Sequence, residues 1–525
     1  MNIRVKPATQ LIKLIVQRIE NKGVIQDVPS HTLPLGYWSS CTNIRFNDGY
    51  AQKFEGHSEP YGTPSISPYF LLPVQSETVQ YWIYCGLTGV YVTQGTSQHN
   101  ISGVTYSANA DDSWNGGVLG NQAILNNGVN APQYWASVSP STLLADLANW
   151  PVNTTCKVIK PFKNYLVAMD IDKAGARYPQ MVKWSHPADP GTIPSTWDET
   201  DATKDAGETV LTQGGGYIKD GGTLGDTFII YREWSTWEMR YIGGRFIFQF
   251  RELFNNSGIL APHCFAEFEG KHLVLTANDL IVHDGRSFQS IVDRKMRNTL
   301  FNDIDTTNSR RCFLAPNYDR NEIWVCYPES GQSFATKALI WNYREDTFGF
   351  RTLPGSRHIA FDVVDSTILG TIDPWTGTID SYSDIIDKRL YDASKGRMLM
   401  ADTSNTKLLQ VDDTNQYDGV SFTATLQRTG ITFDDLTRKK RIKTLYPTFE
   451  AISGTAISVR VGYHDAPEAS VTWGSAQTFT VGTDYKVDFT SDNLGRMVAI
   501  EYSTTGDVAW KHHYTDVDYV TEGKR

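Results

Sequence analysis

The chain has 525 residues, of which 12% are aromatic and only 20% are charged, so it can bury the cores of several domains. The net charge of −10 argues against a protein that wraps tightly around nucleic acid, since neutralising phosphates needs clustered Lys and Arg, although it is compatible with a passage through which DNA slides. There is no run of about 18 apolar residues and no secretory cleavage pattern, so we expect no membrane span and synthesis in a cytoplasm.

Glycine and tyrosine are abundant, with 42 and 26 copies beside 14 tryptophans. This composition favours many short strands joined by tight turns over a helical protein. The cysteines are far apart and form no C-x-x-C motif, so we expect reduced, buried thiols rather than metal ligands or disulfides. They are Cys41, Cys85, Cys156, Cys264, Cys312 and Cys326.

Residues 1–30 are expected to form an N-terminal arm. Apolar residues between Leu11 and Ile19 fall near helical spacing, but Ile12 and Val16 interrupt the stripe. A strand or an extended segment that pairs with another part of the chain fits this region equally well.

Residues 31–395 contain short apolar and aromatic runs that alternate with glycine-marked turns. The runs at 79–86 and 89–95 are typical of two strands joined in a β-hairpin. Comparable pairs return roughly every 40–60 residues, the period expected of a four-stranded propeller blade. We therefore predict an all-β fold whose main domain is a β-propeller, in preference to a β-sandwich. One helix is predicted at 290–300, where apolar residues approach helical spacing.

Residues 396–525 are predicted to form an additional, sandwich-like C-terminal β domain. Strand signals resume at residue 420, and apolar and polar residues alternate at 457–461, which indicates one solvated face. Ahead of this domain, residues 382–390 fit either a short helix or a connector.

The densest charge cluster of the C-terminal domain is the run Arg438, Lys439, Lys440 and Arg441, in a predicted turn between two strands. Such a run could contact nucleic acid or an acidic partner surface. A solvated turn is the default interpretation, so these four residues are a weak candidate contact site.

Motifs that carry chemistry are missing from the sequence. It contains no H-E-x-x-H, no P-loop, no G-x-S-x-G and no dinucleotide fingerprint. Asp413, Asn415 and Asp418 partly match a calcium loop, but the glycine is out of place and no Glu closes the loop. His512 and His513 could bind a metal only with partners from elsewhere, and a surface or interface pair is the simpler interpretation. We therefore assign no catalytic, cofactor-binding or metal-binding residues and expect no enzyme.

Three stretches have strand-and-turn sequences that resemble those of one protein family. The stretches are GVIQDVP (23–29) with LPLGYW (33–38) and NIRFNDGYAQKFEG (43–56), VKWSHPADP (182–190) with PSTW (194–197), and ALIWNYREDTFGFR (338–351). They resemble the tail nozzle proteins of short-tailed bacteriophages, also called tail accessory or phage-stabilisation proteins. The likeness is strongest over residues 20–60 and 150–360.

The resemblance implies a structural protein of the virion tail, made in the host cytoplasm. Nozzle proteins of this kind form a homo-hexameric ring below the portal and its adaptor, and they continue and gate the channel through which double-stranded DNA is ejected. Tail fibres or spikes attach around them, and a needle or plug can fill the tip. The N-terminal arm and the C-terminal β domain are the candidates for the end that meets the adaptor.

Two other functions remain open on a propeller scaffold. A glycan-binding receptor module or tailspike-like protein should expose aromatic side chains and carboxylates together in one pocket. A glycoside hydrolase or lyase is less favoured, since the repeated Ser-x-Asp-x-Gly-x-x-Trp turns of sialidase-type chains are not matched at 195–198 or 471–474.

Overall fold

The computed structural model describes residues 15–75, 80–111, 114–136, 139–362, 396–467, 469–490 and 494–522. Almost every regular element in it is a strand, and the strands form a β-propeller beside a second β domain. The predicted all-β class, with a propeller and an additional C-terminal β domain, is therefore confirmed. None of the helices in these ranges is long and apolar enough to cross a membrane.

From residue 15 onward the first five strands are short, and they are divided between the two domains. They are β1 (Ile15–Ile19), β2 (Ser40–Thr42), β3 (Ile44–Asn47), β4 (Tyr50–Lys53) and β5 (His57–Ser58).

Five four-stranded antiparallel sheets follow, and each is one propeller blade. Blade one holds β6 (Phe70–Gln75), β7 (Gln80–Cys85), β8 (Val90–Gln94) and β9 (Ser97–Asn100). Blade two holds β10 (Asn115–Leu119), β11 (Gln122–Asn126), β12 (Gln133–Trp135) and β13 (Ala145–Asp146). Blade three holds β14 (Thr154–Phe162), β15 (Tyr165–Lys173), β16 (Ala176–Trp184) and β17 (Gly207–Val210). Blade four holds β18 (Ile218–Leu224), β19 (Thr227–Arg232), β20 (Ser235–Tyr241) and β21 (Phe248–Asn255). Blade five holds β22 (Phe265–Phe268), β23 (Lys271–Leu275), β24 (Leu280–His283) and β25 (Phe288–Ser290).

Two further blades share one long strand, β29 (Thr347–Asp362). Its first half completes blade six with β26 (Phe313–Asn317), β27 (Glu322–Tyr327) and β28 (Ala335–Asn342). Its second half begins blade seven and pairs with β30 (Arg397–Asp402), which pairs with β31 (Lys407–Val411). The outer strand of blade seven is β5, from near the start of the chain. In the described residues the propeller thus has seven blades, and its ring is closed by strands from opposite ends of the domain.

A stack of three rings supports this closure. The ring of His57, in β5, lies parallel to that of Tyr417 at 4.6 Å, and Tyr417 stacks on Phe422 at 3.9 Å. The two-residue strand β5 makes few hydrogen bonds, so this stacked contact adds to what holds the last blade shut.

The second domain is a sandwich of two sheets. One sheet contains β1, β3, β4, β33 (Lys439–Ala451), β37 (Val487–Asp488) and β39 (Trp510–Glu522). The other contains β2, β32 (Thr423–Ile431), β34 (Ala456–His464), β35 (Thr472–Trp473), β36 (Gln477–Thr480) and β38 (Met497–Thr505). Fully buried side chains such as Leu426, Leu445 and Ile500 fill the space between the sheets.

The strand pairing places the domain boundaries differently from the predicted division into 1–30, 31–395 and 396–525. Residues 15–53 belong to the sandwich, because β1 and β4 pair with β39 and β2 pairs with β32. The strands β30 and β31 lie before the sandwich and belong to blade seven. A local sequence pattern indicates that a strand forms but not which distant strand it pairs with, and both boundary errors have this origin.

The helix predicted at 290–300 is displaced. Ser290 ends β25, and the helix α1 spans Arg297–Asp303. Its first N–H groups are satisfied from outside, since the Asp27 carboxylate accepts from the backbone N–H of Asn298 (2.6 Å) and Thr299 (3.0 Å). Single 3-10 turns lie at Ser30–Thr32, Gly244–Phe246, Ser309–Arg311 and Tyr318–Arg320. The segment 382–390 lies outside the described residues.

All six cysteines are free and buried, as predicted. Burial raises the pKa of the Cys41 thiol to about 12, which keeps it in the unreactive protonated form.

A tyrosine and two histidines form a buried hydrogen-bond chain between blades four and five. His272 Nε2 donates to the carbonyl of Thr223 (2.8 Å), so its Nδ1 must accept, and it accepts from the Tyr231 hydroxyl (2.7 Å). His283 Nδ1 accepts from the N–H of Gly285 (3.2 Å), so its Nε2 donates to the Tyr231 oxygen (2.6 Å). The network therefore requires both imidazoles to be neutral.

We expect this pair to make folding sensitive to acid. Burial lowers the pKa of His272 to about 4 and that of His283 to about 3, whereas histidines in an unfolded chain titrate at about 6.5. On acidification the unfolded chain therefore binds protons that the folded chain excludes. Between about pH 6.5 and its folded-state pKa, each histidine lowers the free energy of unfolding by about 1.4 kcal/mol per pH unit. Above about pH 6.5 their contribution is fully present.

Urea unfolding at pH 7 and pH 5 measures this effect in the wild type and in the His272→Gln/His283→Gln variant. The wild type should lose more free energy of unfolding on acidification than the variant. Equal losses would contradict the assignment of two neutral, buried imidazoles.

Candidate functional site

Packed side chains occupy the axis of the propeller. The ring of His358 lies 4.7 Å from that of Phe70 and 5.1 Å from that of His263. His263 Nε2 donates to the carbonyl of Trp114 (2.8 Å), and its backbone N–H donates to Asp220 Oδ2 (2.7 Å). Burial lowers the pKa of His263 to about 3, so the imidazole is neutral. At this level the axis is a packed core rather than a route for a polymer.

A pocket of about 220 Å³ opens on the face where the first strands of blades two to four begin. Arg177 donates from Nε (2.8 Å) and Nη2 (2.6 Å) to the Asp170 carboxylate, and its guanidinium lies 4.9 Å from the Tyr217 ring centroid. Asp111 pairs with Arg311 at 2.9 Å, and this hydrogen bond holds the pKa of the carboxyl below its usual range. These carboxylates are paired with cations, so they lack the features of a general acid or base.

The run that partly matched a calcium loop is engaged in protein contacts. Asp413 accepts from the Ser58 hydroxyl and from Gln410 Nε2 (3.2 Å), and Asp418 pairs with the Lys407 ammonium. Within the described ranges, no group of three or more His, Cys, Asp or Glu side chains is arranged to hold a metal ion.

The pair His512–His513 is divided between core and surface. His513 lies at the surface and approaches Glu450 at 3.3 Å. His512 is fully buried, so the prediction of a surface or interface pair is wrong for this residue. Burial lowers the pKa of His512 to about 3.

His512 belongs to a network that fixes the N-terminal segment inside the sandwich. Its ring nitrogens lie 3.1 Å from Asn21 Oδ1 and 2.8 Å from Thr515 Oγ1. Trp38 Nε1 donates to the same Asn21 oxygen (2.9 Å), while Asn21 Nδ2 donates to the backbone carbonyls of His512 and His513, each at 2.7 Å. Asn21 is therefore satisfied by strand β39, nearly five hundred residues away in the sequence.

The basic run 438–441 is bound to partners within the chain. Lys440 is fully buried, and its ammonium donates to the carbonyls of Asp435 and Arg496. The other three cations pair with carboxylates: Arg438 with Asp435 (3.8 Å), Lys439 with Asp465 (3.1 Å) and Arg441 with Glu522 (2.5 Å). Only Arg438 keeps about half of its side chain exposed, at 53%. Lys439, Lys440 and Arg441 thus begin β33, and Arg438 lies in the bend immediately before it, so the run is not a solvated turn.

A buried cluster of charges joins the two domains. Arg45, in β3 of the sandwich, lies 3.0 Å from Glu322 of blade six and 2.7 Å from Asp412, which follows the third strand of blade seven. Arg351, in β29, lies 2.7 Å from the other oxygen of Asp412. The side chains of both arginines and Glu322 are 1% exposed, and that of Asp412 is 11% exposed.

Backbone and aromatic groups complete this cluster. Arg351 Nη2 donates to the carbonyl of Gly56 (3.2 Å), next to the closing strand β5. The guanidinium of Arg45 lies 4.2 Å from the Phe54 ring centroid, and that of Arg351 lies 4.8 Å from the Trp324 ring. Cation–π contacts of this kind are strengthened by exclusion of water.

The cluster is balanced in charge. Burial alone raises the pKa of Asp412, but Arg45 and Arg351 outweigh it, so the pKa lies below its usual range. At the rim, Glu55 pairs with Arg320 at 2.7 Å. Three cations thus face the three carboxylates of Glu55, Glu322 and Asp412, a condition under which a buried ionic cluster is stable.

None of these cluster residues was singled out from the sequence. Arg45 and Arg351 stand in strands among apolar and aromatic neighbours, Ile44 and Phe46 around the first and Phe350 before the second. A cation at such a position is the one local signal of a buried ion pair, and the sequence gives no indication of its partner.

The chain was also compared with known proteins. No family model and no curated protein matches it. Among solved structures, YCF48 bound to a D1 peptide is similar with a TM-score of 0.34 and 8% identity, over 67% of this chain and 97% of that chain. A similarity this low carries no functional argument, and the seven-bladed assignment rests on the strand pairing itself.

We expect Arg45→Ala to destabilise the chain strongly. The change leaves Glu322 without its buried partner, and breaking such a pair costs about 3–5 kcal/mol. Arg251→Ala is the matched control, because Arg251 pairs with Glu238 at 2.7 Å while 63% exposed, and exposed pairs contribute about 1 kcal/mol or less. Urea unfolding measures both variants, and similar losses would show that the cluster does not stabilise the domain interface.

Proposed function

We propose that the chain is a non-enzymatic structural subunit of the tail of a short-tailed bacteriophage. In this proposal it forms the nozzle ring below the portal and adaptor. The ring continues the DNA channel, and fibres or spikes attach around it.

The observation that carries the proposal is where the family-like stretches lie. The stretch 43–56 supplies Arg45, Glu55 and Phe54 to the charge cluster, and the stretch 338–351 supplies Arg351. The stretches that resemble nozzle proteins therefore contribute to the contact that fixes the orientation of the sandwich on the propeller. A subunit that forms the wall of a ring needs such a rigid contact between its domains, because a ring closes only when every copy has the same shape.

The remaining stretch has a framework role as well. Trp184 packs edge-on against Phe248 of the next blade at 5.5 Å, and Trp197 packs against Trp150 at 4.7 Å. Both contacts are apolar and buried, so no ligand is needed to explain these tryptophans.

The packed propeller axis directs the route of DNA elsewhere. In a ring of copies, the passage lies at the centre of the ring, and it is lined by the surfaces that the subunits turn toward it. The net charge of −10 suits such a wall, because a surface that attracts phosphates would retain the DNA.

Purified protein, mixed with adaptor and examined by mass photometry, tests this proposal. We expect closed rings of about six copies, since heterologous contacts generate rings when the rotation closes. Arg45→Ala should reduce ring formation while Arg251→Ala leaves it unchanged. A chain that stays monomeric with adaptor and is absent from mature particles would refute the nozzle role.

A glycan-binding receptor module is the second candidate. The pocket at the propeller face combines Asp170, Arg177 and Asp220 with Tyr217, which is 49% exposed and can stack on a sugar with the ring face that Arg177 does not cover. Under this second proposal, Tyr217→Ala should reduce binding to host-surface oligosaccharides at least tenfold. Tyr485→Ala on the sandwich is the control and should bind as the wild type does. Under the nozzle proposal, neither change affects ring formation.

A further inference from the structure

The hairpin that joins β20 and β21 exposes an unusual concentration of apolar surface. At its tip, Phe246 is 73% exposed, Ile242 50% and Tyr241 44%. The tip lies at the end of blade four opposite to Ile218, where the pocket described above opens. Exposed apolar side chains grouped on one turn indicate a site of interaction.

The tip is a defined turn. The backbone N–H groups of Ile242 and Gly243 both donate to the carbonyl of Ile247, at 2.9 and 3.2 Å. Gly243 and Gly244 adopt φ values of 69° and 67°, and Ile247 has a φ of 29°, which a β-branched residue rarely adopts. Strain of this kind persists where the surrounding structure holds it, often at sites of binding.

The tip is also basic, within a chain whose net charge is −10. From residue 239 to residue 250 the charged side chains are Arg240 and Arg245, and both are exposed. Neither has an ion-pair partner in the described part of the chain. The nearest carboxylate in sequence, Glu238, is occupied by Arg251 at 2.7 Å.

We propose that this hairpin tip docks on the surface of an anionic lipid bilayer. Ile242 and Phe246 enter the boundary between headgroups and acyl chains, and Tyr241 lies at headgroup depth, where aromatic rings with a polar end are favoured. Arg240 and Arg245 extend to the lipid phosphates.

The combination of groups favours lipid over other partners. Binding to nucleic acid requires cations but does not require two exposed apolar side chains at the point of contact. A protein partner would have to present carboxylates matched to both arginines together with an apolar patch, all at the tip of one hairpin. A bilayer provides an apolar layer for Ile242 and Phe246 and, directly above it, a layer of anionic phosphates for Arg240 and Arg245, so one hairpin can contact both layers.

A single tip buries little apolar surface, so one copy should bind weakly. If the chain forms the ring of the proposed function, several tips face the same bilayer, and the effective affinity rises by multivalency. Only this gain in affinity from several tips rests on the proposed function.

Vesicle flotation with full-length protein tests the proposal. We expect the wild type to bind vesicles of phosphatidylglycerol and phosphatidylethanolamine at least tenfold more than vesicles of phosphatidylcholine. Ile242→Ser/Phe246→Ser should lose at least tenfold in this binding, and Arg240→Gln/Arg245→Gln should lose the preference for anionic vesicles. The matched control is Ile452→Ser/Tyr485→Ser, which removes apolar side chains from the sandwich that are at least as exposed, at 79% and 73%, and should bind as the wild type does.

Several outcomes would overturn the lipid assignment. These are equal binding of the wild type to both kinds of vesicle, unchanged binding by Ile242→Ser/Phe246→Ser, or an equal loss in the sandwich control. Ring formation with adaptor is measured on the same variants. If Ile242→Ser/Phe246→Ser binds vesicles normally but no longer forms rings, the tip is a contact between copies, and the nozzle proposal stands without the lipid site.

Discussion

The buried charges of Arg45, Glu322, Arg351 and Asp412 impose the constraint on which the rest of the structure depends. Removing such groups from water is costly, and the cost is offset only when every partner is in place. Their partners come from the sandwich, from blade six and from the end of blade seven. A shifted register or a rotated sandwich would leave a charge unpaired. The cluster therefore selects one arrangement of the two domains.

The path of the chain makes the two domains interdependent. Residues 15–53 form part of the sandwich, and four residues later β5 closes the propeller. The backbone of Gly56 accepts from Arg351 and from the N–H of Asp412 (2.9 Å), so the same few residues close the ring and join it to the sandwich. Contacts between such distant parts of a chain form slowly, because the loop between them must be closed first. Folding of the propeller and folding of the sandwich are coupled through this short segment.

Local features of the fold could be predicted from the sequence, whereas long-range pairing could not. The hairpin predicted from the runs at 79–86 and 89–95 corresponds closely to β7 and β8, because alternating apolar residues and glycine turns determine it locally. The assignment of β1, β2 and β4 to the sandwich depends on partners more than 350 residues away, and nothing near them in sequence indicates this. The partners of the buried charges could not be predicted for the same reason, since most of them are distant in the sequence. Lys440 resembles a surface cation until the carbonyls of Asp435 and Arg496 are seen around it.

The position of β39 has a consequence for how the molecule is made. This strand pairs with β1, β4 and β33, and its backbone carbonyls accept hydrogen bonds from Asn21. The strand β1 therefore has no partner until β39 has been synthesised, and the sandwich cannot be completed before β39 leaves the ribosome. A polypeptide that terminates early lacks the finished sandwich and the fixed joint to the propeller. Cellular proteases can remove such incompletely folded fragments, so the copies that persist are those in which β39 is present.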